Sequence, residues 1–408
     1  MHKLYLIFTL FFLTNICYSQ TTVNPDISAV GTFNMFTNNI KGTEEYGKLN
    51  FDIPEMEVYI EGYLNPYARA VFNIGYHEEE FHAEEIFAHI VRGLPLDIQI
   101  KAGKYLLGFG KINIIHPHEW SFIYRPLFHN IYFGEEGFND IGLNLSFILP
   151  TGDLYTTLDL GVFKGDALAH THDHGHGGED EQDHADEDEH GHEHAEISRG
   201  NSPIFVGRLD SFFPLGDFSN LELGLSGSYG VHSKADFNLT GDTTAAHQES
   251  PLNYGYLGFD FKYKYRPNSY TALTIQGEGM WNNREVLRTG GSGVNTIKDI
   301  QEVINTFGAF LYLDYRFNRI FSIGAKYDFT YGIPVDESGF NTLANDDQNK
   351  TNGIEGWLGY YPVEETVVLR LGVRHLMFDF ADGSKRDSET TINLQLIFSL
   401  GPHKAHPF

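Results

Sequence analysis

The chain is 408 residues long and strongly acidic, with 28 Lys and Arg against 55 Asp and Glu and a formal charge of −27. A polyanion would be repelled by that balance, which excludes nucleic acid as a partner. One cysteine excludes a disulfide framework, and 43 Gly, 33 Phe and 23 Tyr favour strands and turns over helices.

Residues 1–20 read as a secretory signal peptide. Lys3 precedes an apolar run from Leu4 to Leu13, and Cys17-Tyr18-Ser19 makes a smaller, more polar end before a cut near Ser19 or Gln20. The mature chain, 21–408, is therefore expected outside the cytoplasm and without a thiol, because Cys17 leaves with the signal. The bulk of Ile16 argues against lipid attachment at Cys17. No later run is long and apolar enough for a membrane-spanning helix.

Short links rich in turn formers fall at 65–66, 92–95, 150–153, 214–217, 266–268, 317–319 and 362–364. Longer polar links fall near 37–50, 77–83, 106–139, 164–202, 231–253, 281–303, 333–351 and 378–388. The two kinds alternate along the chain. This is the asymmetry of an all-β fold, a transmembrane antiparallel β-barrel with short periplasmic turns and long extracellular loops. The segments between links predict about sixteen strands, an even number that returns both termini to the periplasm.

The first polar cluster, His77-Glu78-Glu79-Glu80-Phe81-His82, superficially resembles the metalloprotease motif His-Glu-x-x-His. Its histidines stand one residue too far apart to share a helical face, so a solvated loop is expected. Next comes RGLPLDIQIKAGKYLLGFG, Arg92 to Gly110, a short turn, a strand and a Gly-Lys-aromatic segment ending in Phe-Gly. This run resembles the phosphate-selective porin O and P family, in which such a segment leads into a pore-constricting third loop. The following HPHEWSFIYRPLFHNIYFGEEGFNDIGLNLSF, His116 to Phe147, is similar to a porin-like subgroup with histidine-rich loops and an association with zinc.

The resemblance covers most of the mature chain as architecture and is motif-grade from Arg92 to Phe147 and in the tail. It implies a barrel of about sixteen strands in outer-membrane lipid, often a homotrimer, with residues 106–139 folded into the channel. The family's arginine ladder and lysine cluster have no residue-by-residue match here, so phosphate specificity is not implied. Within that loop His116, His118 and His129, with Glu119, Glu135, Glu136 and Asp140, offer nitrogen and oxygen donors that suit zinc, copper or nickel. The alternative is that these groups hold the loop to the barrel wall, with Arg125 pairing a carboxylate.

The long link at 164–202 contains HTHDHGHGGEDEQDHADEDEHGHEHAE, His170 to Glu196, which lacks Lys, Arg, Cys and bulky apolar side chains and cannot build a core. His170, His172, His174, His176, His184, His190, His192 and His194 are mostly neutral near pH 7, given an ordinary pKa of about 6.5. Their His-x-His spacing is chelating, and loosely bound Zn2+, or Cu2+ or Ni2+, is expected there. A solvated acidic loop kept for solubility is the plainer alternative.

Beyond that loop the dyad pattern is clear. Leu257, Phe259, Phe261, Tyr263 and Tyr265 alternate with Gly258, Asp260, Lys262, Lys264 and Arg266. Phe321, Ile323, Ala325, Tyr327 and Phe329 alternate with Ser322, Gly324, Lys326 and Asp328. Val367, Leu369, Leu371 and Val373 alternate with Val368, Arg370, Gly372 and Arg374, and Ile392, Leu394, Leu396, Phe398 and Leu400 with Thr391, Asn393, Gln395, Ile397 and Ser399. A soluble sandwich also alternates, but it has no reason to end its outer stripes in Tyr and Phe. The last strand leads into a tail, 401–408, that closes on Phe408.

The same parity predicts a lumen carrying Arg69, Lys101, Lys262, Lys264, Arg316, Lys326, Arg370 and Arg374 with Glu61, Asp97, Asp159, Asp210, Asp260, Glu278, Asp314 and Asp328. Acidic outer loops raise the cation concentration at the mouth. No Gly-x-Ser-x-Gly elbow or phosphate-binding glycine loop is present, so no enzyme is expected. The expectation is a porin-like channel that gathers zinc at its histidine-rich loop and passes it inward. A general or phosphate/anion-selective porin with an incidental loop, and a non-conducting surface metal binder, stay open.

Overall fold

The structure, a computed structural model, describes residues 25–77, 80–134, 137–152, 154–165, 203–232, 236–238, 252–290, 298–331, 349–363, 366–380, 383 and 386–401. Its strands are β1 (Asp26–Asn38), β2 (Asn50–Asn65), β3 (Ala68–His77), β4 (Glu80–Ile90), β5 (Gln99–Leu106), β6 (Asn139–Leu149), β7 (Tyr155–Phe163), β8 (Ile204–Pro214) and β9 (Ser219–His232). The series continues with β10 (Asp236–Asn238), β11 (Leu252–Tyr265), β12 (Ala272–Gly290), β13 (Lys298–Arg316), β14 (Phe321–Tyr331), β15 (Lys350–Val363), β16 (Val367–Asp379) and β17 (Glu389–Leu400). Sixteen of these seventeen form one antiparallel barrel, and the three-residue β10 is an extra rung beside β12. Pairing of β1 with β17 closes the sheet, from Ala29 opposite Leu400 to Asn38 opposite Thr391, so no edge is left unpaired.

Alternation explains the wall. Leu257, Phe259, Tyr327, Leu371 and Phe398 point outward, whereas Asp260, Lys326, Arg370 and Gln395 are buried toward the lumen. An apolar exterior saves the cost of polar groups in lipid, and the closed ladder satisfies the backbone. The predicted inward charges fall on the lumen side with one correction. Asp97 lies in a short-turn 3-10 segment, Pro95–Asp97, where Leu96 and Asp97 adopt positive φ of 59° and 52°. It is exposed on the short-turn rim.

Two long links are corrected as well. β3 and β4 pair from His77 opposite Glu80, so in the span 77–83 expected as a loop, 77 and 80–83 are strand. β12 and β13 pair out to Gly290 opposite Lys298, so most of 281–303 is strand. The remaining long links leave from the opposite rim to the short turns, as expected.

The apolar core lies inside the barrel. Residues 107–138 leave β5 and fold into the lumen before returning as β6, and they carry one short helix, α1 (Leu127–Phe133). Phe109, Trp120, Phe122, Phe128, Phe133 and Phe138 pack with Tyr256, Phe310, Tyr312 and Trp357 of the wall. Edge contacts between Phe122 and Tyr312 at 5.2 Å, and a stacked pair of Phe133 and Phe138 at 4.8 Å, are typical of the cluster. The loop thereby fills the β9–β15 side of the lumen, and a cleft remains between it and the β1–β4 wall.

Candidate functional site

Polar side chains from well-separated strands pin the loop in place. Glu278 of β12 accepts the backbone N–H groups of Lys111 at 2.7 Å and Ile112 at 2.6 Å. Ser226 of β9 accepts the Gly110 N–H at 3.0 Å, and Glu355 of β15 accepts that of Ile123 at 2.7 Å. Lys326 of β14 donates to the Tyr124 carbonyl and pairs with Glu355 at 2.9 Å. Each anchor satisfies a loop backbone group that would otherwise be buried unpaired.

Opposite those anchors, the loop and the wall of β1–β4 and β17 bound a cleft of about 570 Å3. Its lining includes Asn34, Glu55, Glu57, Gln395, His116 and Arg125. His116 is the centre of the polar lining. Its Nδ1 lies 3.0 Å from Glu57 Oε1, and its Nε2 lies 3.2 Å from Glu85 Oε2. Asn73 donates to the other oxygen of Glu57 at 2.7 Å, and the Leu106 N–H donates to Glu85 at 3.2 Å. Carboxylate pairs of this kind orient an imidazole as well as attract its proton. Burial alone would lower the His116 pKa, but the charges and hydrogen bonds of Glu57 and Glu85 prevail and raise it well above the ordinary value.

His118 stacks on His116 with ring centroids 5.9 Å apart. Its Nδ1 is 3.6 Å from Glu55 and 3.7 Å from Glu57, and its Nε2 is 3.8 Å from Glu119. Here burial wins, helped by the cationic His116 and Arg370 against the pull of Glu57 and Glu119, and the pKa is lowered. Arg370 and Arg374 of β16 supply the opposite sign on the lumen wall, with Arg374 over the Tyr124 ring at 3.8 Å. Arg125 lies over the Trp120 ring at 5.0 Å.

The structure thus brings His116 and His118 together and sets His129 apart. His129 sits on α1, fully buried, with Nε2 3.3 Å from Glu278. Burial, aided by Arg125 and Lys326 and opposed by Glu278, lowers its pKa. Asp140 accepts the N–H of Gly165 at 2.6 Å and of Ile141 at 2.7 Å, a structural use that ties off the end of β6. Glu135 and Glu136, the histidines at 170–194, the tail histidines at 403 and 406 and the signal region lie outside the described residues.

Sequence reasoning missed Glu55, Glu57 and Glu85, which come from β2 and β4. A signal was present: Glu55, Glu57 and Glu61 recur at even spacing in NFDIPEMEVYIEGYLN, which marks an acidic stripe on the lumen face of that strand.

A scan of known protein families finds no match. An uncharacterized protein of Aquifex aeolicus (strain VF5) is 26% identical over 415 residues, covering 96% of this chain and 81% of that protein. Among solved structures, the trimer form of OmpT, an outer membrane protein of Vibrio cholerae, superposes with a TM-score of 0.53 at 8% identity over 92% of this chain and 100% of that one. An anion-selective porin from Comamonas acidovorans gives 0.53 at 9% identity over 92% and 99%. OprB of Pseudomonas putida gives 0.53 at 9% identity over 92% and 94%. At such identities the likeness is one of fold: a closed sixteen-stranded antiparallel barrel like those of outer-membrane porins, with an apolar exterior that suits lipid.

Proposed function

We propose that the chain is a passive outer-membrane channel for small hydrophilic solutes that favours divalent cations, zinc above others. The observation that carries this reading is the cleft between the loop 107–138 and the β1–β4 wall, lined by Glu55, Glu57 and His116. Carboxylates and imidazole along a narrow passage stabilise a partly dehydrated divalent cation better than a monovalent one. The histidines from His170 to His194 gather the ion at the extracellular mouth, where the acidic loop raises its local concentration.

Planar-bilayer recording of the purified protein tests the reading. A cation-favouring reversal potential under a salt gradient, with zinc permeation under a zinc gradient, is the expected result. A silent barrel would leave a surface metal binder. Anion preference would instead support the second reading, an anion channel, which Arg125, Arg370 and Arg374 and the similarity to an anion-selective porin favour. The homotrimer is part of the same proposal, supported by the trimeric state of the OmpT structure, and native mass spectrometry in detergent checks it.

A further inference from the structure

Within the cleft one group of side chains has the composition and spacing of a metal site. Glu55, Glu57 and His116 each present a ligand atom, and these atoms all lie within 4.8 Å of one another. We propose that Glu55, Glu57 and His116 Nδ1 form a divalent-metal site of the zinc class inside the channel, joining the loop 107–138 to strand β2. This deepens the channel reading above and rests on it for its physiological meaning, though not for its chemistry.

Three features support the assignment. Three protein ligands with a fourth position left open is the pattern of accessible zinc sites, imidazole and carboxylate are both donors that zinc takes, and here the fourth position faces the cleft. Bonds of about 2.0–2.1 Å in a tetrahedral site put ligand atoms about 3.4 Å apart. His116 Nδ1 and Glu57 Oε1 are already 3.0 Å apart, so only Glu55 must swing inward to complete the triangle. Finally, Glu85 Oε2 stands 3.2 Å from His116 Nε2. When a metal displaces the Nδ1 proton of the imidazolium, Nε2 goes on donating to Glu85 and the freed lone pair on Nδ1 faces Glu55 and Glu57, the carboxylate–histidine–metal arrangement that orients ligands in zinc proteins. Glu85 is held in turn by the Leu106 N–H and by Lys101 at 3.8 Å.

Occupancy has a mechanical consequence. The β1–β4 side of the lumen holds the loop through the side chains of His116 and His118 against Glu55, Glu57 and Glu85, whereas the far side holds its backbone through Ser226, Glu278, Lys326 and Glu355. A bound ion would pin the loop on the passage side and narrow the passage for monovalent ions.

The test uses the full barrel with residues 170–196 deleted, so that the surface histidines cannot contribute, and zinc chloride alone as the probe. Calorimetry after chelator treatment should show one zinc per chain. His116→Gln and Glu57→Gln should each weaken binding at least about 10-fold, and Glu85→Gln by about 10- to 100-fold through the lost orientation. Glu61→Gln, on the same stripe but paired with Arg69, should leave affinity unchanged. Heat-modifiable gel migration checks that each variant is folded, and Glu55→Gln replaces any that is not. No zinc bound by the loop-deleted barrel, or equal affinity in the His116 and Glu61 variants, would overturn the site. Conductance measured with chelator present tests the channel separately: a folded barrel that binds zinc but never conducts refutes the channel and leaves the site standing.

Discussion

Arg208 of β8 and Asp260 of β11 form a two-pronged ion pair at 2.6 and 2.9 Å that passes over the intervening strand β9 at Gly224. A Cβ at Gly224 would strike both partners, so the absence of a side chain there is what lets the pair span two strands. Gly224→Ala should part the pair and leave Arg208 with Asp210 and the Ser226 hydroxyl. The expected cost is about 1–3 kcal/mol, below the 3–5 typical of a broken buried pair because lumen water can follow. Urea titration of the barrel in detergent measures it, with Leu225→Ala, on the lipid face, as the comparison.

The Lys41–Asp387 pair at 2.7 Å joins the β1–β2 loop to the β16–β17 loop and is fully exposed. Their mutual attraction raises the lysine pKa and lowers that of the aspartate, yet water and salt screen it. Lys41→Ala should leave the thermal unfolding midpoint unchanged at physiological salt. A clear drop would mean that this loop contact carries more than a surface pair does.

Glu355 and Lys326 hold the loop segment 123–124 against the wall. Glu355→Gln removes the charge and leaves Lys326 to Asp328, at 3.3 Å. The loop should loosen, and single-channel recordings should show higher and noisier conductance with the barrel still folded. Conductance identical to that of the unaltered protein would show that the aromatic packing alone fixes the loop.

His129 predicts an effect of acid. It faces Glu278, with Arg125 and Lys326 near enough to oppose its protonation, and its folded pKa lies below the ordinary 6.5. The unfolded or undocked segment therefore takes up a proton first as pH falls below about 6.5. The His129 contribution to loop docking is fully present above that pH and is lost as pH falls from there through the folded pKa, whereas the raised pKa of His116 makes its own contribution fade in the opposite direction, as pH rises. Channel noise should rise between pH 7 and pH 5, and His129→Gln should flatten the profile.

The metal-gathering role proposed for residues 170–196 carries a separate prediction about acid. If the imidazoles there hold the metal, protons must compete with it, so zinc retention should be strong near pH 7.5 and largely lost by about pH 5. Replacing His170, His172, His174, His176, His184, His190, His192 and His194 by alanine should abolish most of the zinc heat of an isolated loop peptide. Retention that stays flat with pH would assign binding to the carboxylates.

Most of the wall was legible because a barrel strand faces lipid on one side and water on the other, and a period of two records that choice residue by residue. Polar hairpins standing clear of the bilayer defeat this reading. Asn282, Asn283 and Arg284 look like loop residues, yet they sit in β12 because β13 supplies their backbone partners. Asp97 has the parity of a lumen residue but belongs to a turn. The cleft was half legible: His116 and His118 stand in a motif, whereas Glu57 and Glu85 meet them only through the path of the loop, which no local pattern encodes.

The anchors of the loop 107–138 are remote in sequence. Gly110 waits for Ser226, 116 residues on, Lys111 for Glu278 after 167, and Ile123 for Glu355 after 232. Long-range contacts form slowly because the intervening chain must be ordered first. Pairing of β5 with β6 alone supplies none of these partners, and it leaves the loop's phenylalanines without the wall residues Tyr256, Phe310, Tyr312 and Trp357 that enclose them. Docking of the loop therefore needs β9, β12 and β15 all in place, and constriction of the passage should be completed only once β15 has joined the sheet.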